Sequence, residues 1–353
     1  MGSIYETEIK LTMKRMIILM VLSIVVSQLL AQKNISDDWG FKKYSIHDEK
    51  LGLIEYFIDT IRLNEKAPLI LYLQGSEGYP LILGVSSHLY GYMPIPFFPH
   101  TLKERLADNY HFVMISKPGV PFYDSISTDS EDFSAIMLEY TRSRIPKEYF
   151  KRISLEYRAK VASKVINKII EEFEVDETRV VIWGSSEGGL VSPLVALKNS
   201  NVTHLVSEVG VGLNPFLMYI NHYREKALKG ALSYTEAQQK VDSLFVIYRD
   251  IVENPNCTEK TFSGVDLDLG FTYQHMSQYL FSGSFENFLK LDIPIFIISG
   301  AKDKNVPIIF TDHLILELIR NKKDFTYRIS AEGGHELTGT SPYDDDVILW
   351  IEK

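Results

Sequence analysis

The stretch that most restricts how this chain can fold is Val180-Val181-Ile182-Trp183-Gly184-Ser185-Ser186-Glu187-Gly188-Gly189. Its opening apolar run reads as a strand buried on both faces. The run passes directly into Gly-x-Ser-x-Gly and then into an apolar helical segment that begins Leu190-Val191. A strand that turns into a helix without a loop holds its apex residue in a strained backbone conformation. The flanking glycines, lacking Cβ, let strand and helix close on each other. The expected result is a serine hydroxyl, that of Ser186, raised above the end of a sheet at a helix N-terminus that favours negative charge. Ser185 neighbours the apex but is off its central position. Pro193 falls inside the helix and removes one of its hydrogen bonds, so a kink or an end is expected there.

A serine hydroxyl is a weak nucleophile until a base takes its proton. Two later loops carry suitable partners. Asp303 follows the apolar run Pro294–Ser299, and His335 lies in the glycine-rich stretch Ala331-Glu332-Gly333-Gly334-His335 after a run at Phe325–Ser330. If these strands are parallel to the first, both loops emerge at its carboxyl edge, where an Asp can orient the His and stabilise its imidazolium. Glu208, after a strand at 204–207, is an alternative acid. His88, His204, His222 and His275 lack a comparable strand-end position, although His88 or His275 could face a pocket.

The rest of the chain supports a parallel sheet. Further strands are expected at 51–59, 68–73 and 111–116, with the 325–330 strand alternating enough to lie near an edge. Ala162, Val165, Ile166, Ile169, Ile170 and Phe173 form one apolar stripe of a helix, and Pro307 can open another that runs to about Arg320. Alternation of this kind implies an α/β fold: a mostly parallel central sheet with helices on both faces. The stretch 213–288 is too long for one crossover helix. It contains Thr235-x-x-Gln238, which resembles a capping box, then Val241, Leu244, Phe245, Tyr248, Ile251 and Val252 at helical spacing. We read it as a helical lid insertion over the sheet's carboxyl edge; the other reading is sheet-packing helices joined by a long loop.

An acyl-transfer site also needs donors for a developing oxyanion. One is the backbone N–H of Glu187; the second is expected from Gln74-Gly75-Ser76-Glu77-Gly78, with Ser76 first and Gly75 next. The elbow, the post-strand Asp and the late His together resemble the α/β-hydrolase superfamily over residues 45–353. The resemblance implies a catalytic triad of Ser186, Asp303 and His335. The family often carries His-Gly in its oxyanion loop where this chain has Gln74-Gly75. The Ser-Glu-Gly-Gly elbow is similar to that of a subgroup of esterases, thioesterases and peptidase-like hydrolases, which identifies a mechanism better than a substrate.

The first expectation is therefore cleavage of a carboxylic ester or thioester in a small acyl substrate, with Phe216, Tyr219 and Tyr273 from the lid and the Tyr90–Phe98 loop forming an acyl pocket or, equally, plain core. The second is a peptidase on short peptides, with Asp250, Glu253, Asp266 and Asp268 available to hold an amine. The third is a non-catalytic binding protein on the same fold. No metal or organic cofactor is implied. The net charge of −9 and the absence of a long basic run argue against nucleic acid. The single cysteine, Cys257, excludes an intrachain disulfide. Met13-Lys14-Arg15, an apolar run from Met16 to Val26, and Ala31 read as a signal peptide spanning 1–31, with Met13 as the start and export to the periplasm or medium as the outcome. A retained anchor is the alternative, but the apolar run is shorter than the roughly 20 residues of a membrane span, so no stable span is expected after cleavage.

Overall fold

The structure, a computed structural model, describes residues 35–353 apart from 88–90, 131, 211, 264–269, 282–284 and 338–342. The expected signal segment, His88, Tyr90, Asp266 and Asp268 lie outside the described residues. Eleven strands are present among them: β1 (Phe41–Asp48), β2 (Gly52–Asp59), β3 (Ala67–Leu73), β4 (Ile82–Ser87), β5 (Gly91–Pro96), β6 (His111–Ile115), β7 (Tyr123–Ser127), β8 (Val175–Ser185), β9 (His204–Glu208), β10 (Ile295–Gly300) and β11 (Phe325–Ser330).

Eight of them form one sheet in the order β1-β2-β6-β3-β8-β9-β10-β11. β2 runs antiparallel to both neighbours, and every other pairing is parallel. β11 is an edge strand, which suits its half-polar pattern. The continuous apolar runs of β3 and β8 divide by parity between the two faces. Leu69, Leu71, Leu73, Val180 and Ile182 join one core, whereas Ile70, Tyr72, Val181 and Trp183 join the other. The first core is covered by helices Leu155–Glu172, Glu187–Lys198 and Ile308–Arg320, and the second by His100–Ala107 and Tyr343–Ile351. This is the mostly parallel, two-sided α/β architecture expected from the sequence.

The stretch 213–288 is helical, with segments Phe216–Leu228, Tyr234–Glu253, Tyr273–Phe281 and Phe285–Leu289. Its apolar residues, including Phe216, Val241, Leu244, Met276, Tyr279 and Phe288, merge with the first core. The capping box in this stretch is Ser233 with Glu236, not Thr235 with Gln238: Ser233 Oγ accepts the Glu236 N–H (3.1 Å) and Glu236 Oε2 accepts the Ser233 N–H (2.8 Å). An acid at this position bonds the cap more strongly than an amide would, and the N-cap lies two residues earlier than expected.

Between β3 and the Leu155–Glu172 helix the chain builds a second layer, which has no counterpart among the expected elements. β4 lies between β5 and β7 in a small sheet, and the helix Phe133–Ser143 packs on it through Ile136, Met137 and Tyr140. Pro94 and Pro96 sit in β5, an edge strand of this sheet, where the missing N–H can be spared.

Candidate active site

β8 ends at an apex where Ser186 takes φ 54° and ψ −119°, a left-handed conformation costly for any residue with a Cβ. The flanking glycines are required by space. A Cβ on Gly184 would lie 2.0 Å from the Gly188 carbonyl oxygen, and one on Gly188 would lie 2.1 Å from that of Leu73. The Ser186 N–H is fixed by the Glu208 carbonyl at 2.9 Å. The helix behind the apex runs unbroken through Pro193 to Lys198. The Gly189 carbonyl, four residues before Pro193, accepts the Ser192 hydroxyl instead, at 3.3 Å. That substitute partner offsets the bond proline removes, so the break expected from the sequence does not occur.

The loops after β8, β10 and β11 converge. His335 Nε2 lies 3.0 Å from Ser186 Oγ, and Nδ1 lies 2.8 Å from Asp303 Oδ2. The other Asp303 oxygen accepts the N–H groups of Asn305 (2.8 Å) and Val306 (2.9 Å), which fixes the carboxylate's orientation. The Asp and His loops can touch because Gly300 lacks a Cβ; one would sit 2.2 Å from the Gly334 carbonyl oxygen. Burial pulls the His335 imidazole down, but its bond to Asp303 and the Asp303, Glu77 and Glu208 charges outweigh it and hold His335 above the ordinary histidine range. Glu208, the alternative acid, is buried and accepts the Trp183 indole N–H at 3.2 Å. It biases His335 from a distance, while Asp303 makes the contact.

Of the expected oxyanion donors, Gly75 abuts the nucleophile: a Cβ on it would lie 3.4 Å from Ser186 Cβ. The backbone N–H groups of Gly75, Ser76 and Glu187 make no hydrogen bond to another described residue. Gln74 donates its side-chain amide to the Phe97 carbonyl at 2.6 Å and so ties the oxyanion loop to the second layer.

A cavity of about 610 Å³ opens on Ser186 and His335. Its apolar walls are Tyr79, Ile95, Phe97, Phe133, Met137 and Leu138, and Glu77, Glu208 and Glu336 also line it. None of the described residues of 213–288 lines it, which corrects the expected pocket. Phe216 and Tyr273 are buried, and Tyr219 packs edge-on against Phe216; these residues belong to the core. The physical reason is that the 213–288 helices carry an apolar stripe that the first core absorbs, while the layer built from β4, β5, β7 and Phe133–Ser143 stands over the site. The expected Tyr90–Phe98 loop does contribute, through Ile95, Phe97 and Phe98.

A buried polar group beneath the elbow was not anticipated. Glu187 Oε1 accepts Arg158 Nη1 at 2.6 Å, and Oε2 accepts the Tyr279 hydroxyl. His275 Nε2 lies 2.9 Å from Oε2, out of line for a full hydrogen bond. Burial would raise the Glu187 carboxyl, but His275, Arg158 and Tyr279 overcome it and hold it well below the ordinary carboxylate range. Nearby, burial with help from Arg158 takes the Lys117 ammonium down to about 7, against the pull of Glu77 and Glu187. One sequence signal could have found Arg158: it lies four residues before Ala162, on the buried stripe of its helix. Among the described residues no cluster of His, Cys, Asp and Glu could hold a metal ion, and no helix is long and apolar enough to cross a membrane.

The eight-stranded topology and the elbow define an α/β-hydrolase fold, and a Ser-His-Asp relay stands at its carboxyl edge. The chain matches no known protein-family model and no curated protein. Solved structures do resemble it. Pyrococcus horikoshii acylaminoacyl peptidase has a TM-score of 0.51 at 16% identity, over 89% of this chain and 41% of that one. A Mycobacterium tuberculosis puromycin-hydrolyzing peptidase gives 0.50 at 12%, over 89% and 38%. Porphyromonas gingivalis dipeptidyl peptidase 4 gives 0.51 at 13%, over 88% and 35%. The chain therefore spans well under half the length of each, and the likeness concerns the fold.

Proposed function

We propose that this protein hydrolyses an acyl bond through a covalent intermediate on Ser186. The observation that carries the reading is the continuous relay from Ser186 Oγ through both nitrogens of His335 to Asp303. Ser186 Oγ attacks the substrate carbonyl while His335 Nε2 takes its proton. Negative charge moves to the carbonyl oxygen, facing the N–H groups of Glu187 and of Ser76 or Gly75. Collapse expels the leaving group, which receives the proton from His335, and water repeats the sequence in reverse to release the acid. The decisive experiment is fluorophosphonate labelling: one adduct on Ser186 in the native protein, none in Ser186→Ala. A folded native protein that takes no label would favour a non-catalytic role.

Two scissile bonds fit this chemistry. An ester or thioester suits the apolar walls contributed by Tyr79, Phe97, Phe133 and Met137. A short peptide is favoured by two other observations: the resembling structures are named peptidases, and Glu77 places an exposed carboxylate on the cavity wall where an amine would sit. Asp250, considered above for that task, is instead engaged by Lys260, Tyr273 and Asn254. Turnover of graded p-nitrophenyl esters and thioesters beside aminoacyl amides separates the two. We further propose export, supported by the basic and then apolar N-terminal segment; mass spectrometry of extracytoplasmic protein beginning at Gln32 tests it.

A further inference from the structure

Four consecutive carbonyls of the oxyanion loop are each held by a buried side chain. Arg158 Nη2 donates to the Gln74 carbonyl and Nη1 to that of Gly75 at 3.2 Å. The Tyr149 hydroxyl donates to Ser76 O, and Lys117 Nζ to Glu77 O. In a trans peptide the C=O and the following N–H point in opposite directions. Drawing the Gln74 and Gly75 carbonyls toward Arg158 therefore turns the Gly75 and Ser76 N–H groups away from it, and Gly75 abuts Ser186. The same Nη1 also binds the carboxylate of Glu187, whose backbone N–H is the other oxyanion donor. One guanidinium thus touches both halves of the hole. The Tyr279 hydroxyl, on the helix Tyr273–Phe281, donates to the second Glu187 oxygen, and His275 Nε2 lies 2.9 Å from it.

We propose that Arg158 is a positioning residue that sets the distance and aim of the two halves of the oxyanion hole, with Glu187, Tyr279 and Tyr149 completing the frame. This rests on the acyl-serine reading above. A planar guanidinium with several fixed donors can serve two carbonyls and a carboxylate at once, whereas a lysine ammonium cannot match that fork. The helices of 213–288 then act on the site from below, through Glu187, and not as a cover over it.

The test compares native protein with Arg158→Lys, Tyr279→Phe and Tyr149→Phe on the best substrate from the panel above, with rates expressed per site labelled by fluorophosphonate at completion. Arg158→Lys should lower kcat per site by about 10²–10³-fold with KM changed by less than about threefold, the size of effect seen when an oxyanion donor is lost. The acid limb of the pH profile, set by His335, should stay in place. Tyr279→Phe and Tyr149→Phe, which delete only a hydroxyl, should each lower kcat in the same pattern by about tenfold, and they carry the test if Arg158→Lys does not fold. Arg158→Lys combined with Tyr279→Phe should lose less than the product of the single losses, because both act on one carboxylate. Retained kcat per site in the folded variants, or losses confined to KM, overturns the proposal and leaves Arg158 a structural ion pair. Absence of labelling and turnover in the native protein instead overturns the acyl-serine reading, and this inference with it.

Discussion

His335 titrates in an environment with three carboxylates acting on it, and only one of them touches it. Asp303 holds it in place, whereas Glu77 and Glu208 raise its proton affinity through space. The base works when neutral, so turnover should rise with pH through a limb above the ordinary 6.5. Glu77→Gln removes one source of the upward shift and should move that limb to lower pH, as read from kcat/KM against pH. An unmoved limb would show that Glu77 is screened from the imidazole. At the elbow the prediction is steric: Gly184→Ala must displace the Gly188 carbonyl and should cost about 3 kcal/mol in denaturant unfolding. Ser186, Asp303 and His335 were legible because each chemical role demands a residue type at the end of a strand, and strand ends can be counted along a sequence. Tyr149 and Lys117 were not, because their partners in the oxyanion loop are backbone carbonyls, which carry no sequence signature; Arg158 left only the trace of a charged residue on a buried helical stripe.

At the scale of elements, the wall of the cavity and the helices of 213–288 have separate duties. Ser233→Ala removes the capping-box hydroxyl from the helix Tyr234–Glu253 and should cost about 1 kcal/mol while leaving turnover unchanged, since neither Ser233 nor that helix lines the cavity. Leu138→Trp, on the wall of the cavity, should do the reverse: shift the preferred acyl length with little change in melting temperature. The parallel sheet could be anticipated because fully buried strands read as unbroken apolar runs, as in Pro68–Leu73 and Arg179–Trp183. The second layer could not. β4, β5 and β7 are short and rich in Ser, Gly and Pro, so they carry a turn-like composition and acquire strand geometry only by pairing with each other. The expected pocket lining by Phe216, Tyr219 and Tyr273 failed for the complementary reason: an amphipathic helix announces that one face is buried but not which surface buries it.

Across the whole molecule, folding places charges where water cannot reach them, and stability should record this. Lys117 falls from its ordinary 10.5 to about 7 on folding. Between those values the unfolded chain binds the proton and the folded chain does not, so this residue makes stability rise with pH through that window, by up to about 1.4 kcal/mol per pH unit. Urea unfolding at pH 7 and pH 9 should show a smaller rise for Lys117→Met than for the native protein. The small second sheet has a consequence for how the molecule behaves in company. The Phe97 N–H bonds inward to Leu81, so by alternation Tyr92, Pro94 and Pro96 direct their nitrogens outward. Two of those three nitrogens carry no hydrogen. A foreign strand approaching along β5 would find one N–H among those three positions, so this border of the active site's roof is a poor template for growing into its neighbours even when the protein is crowded.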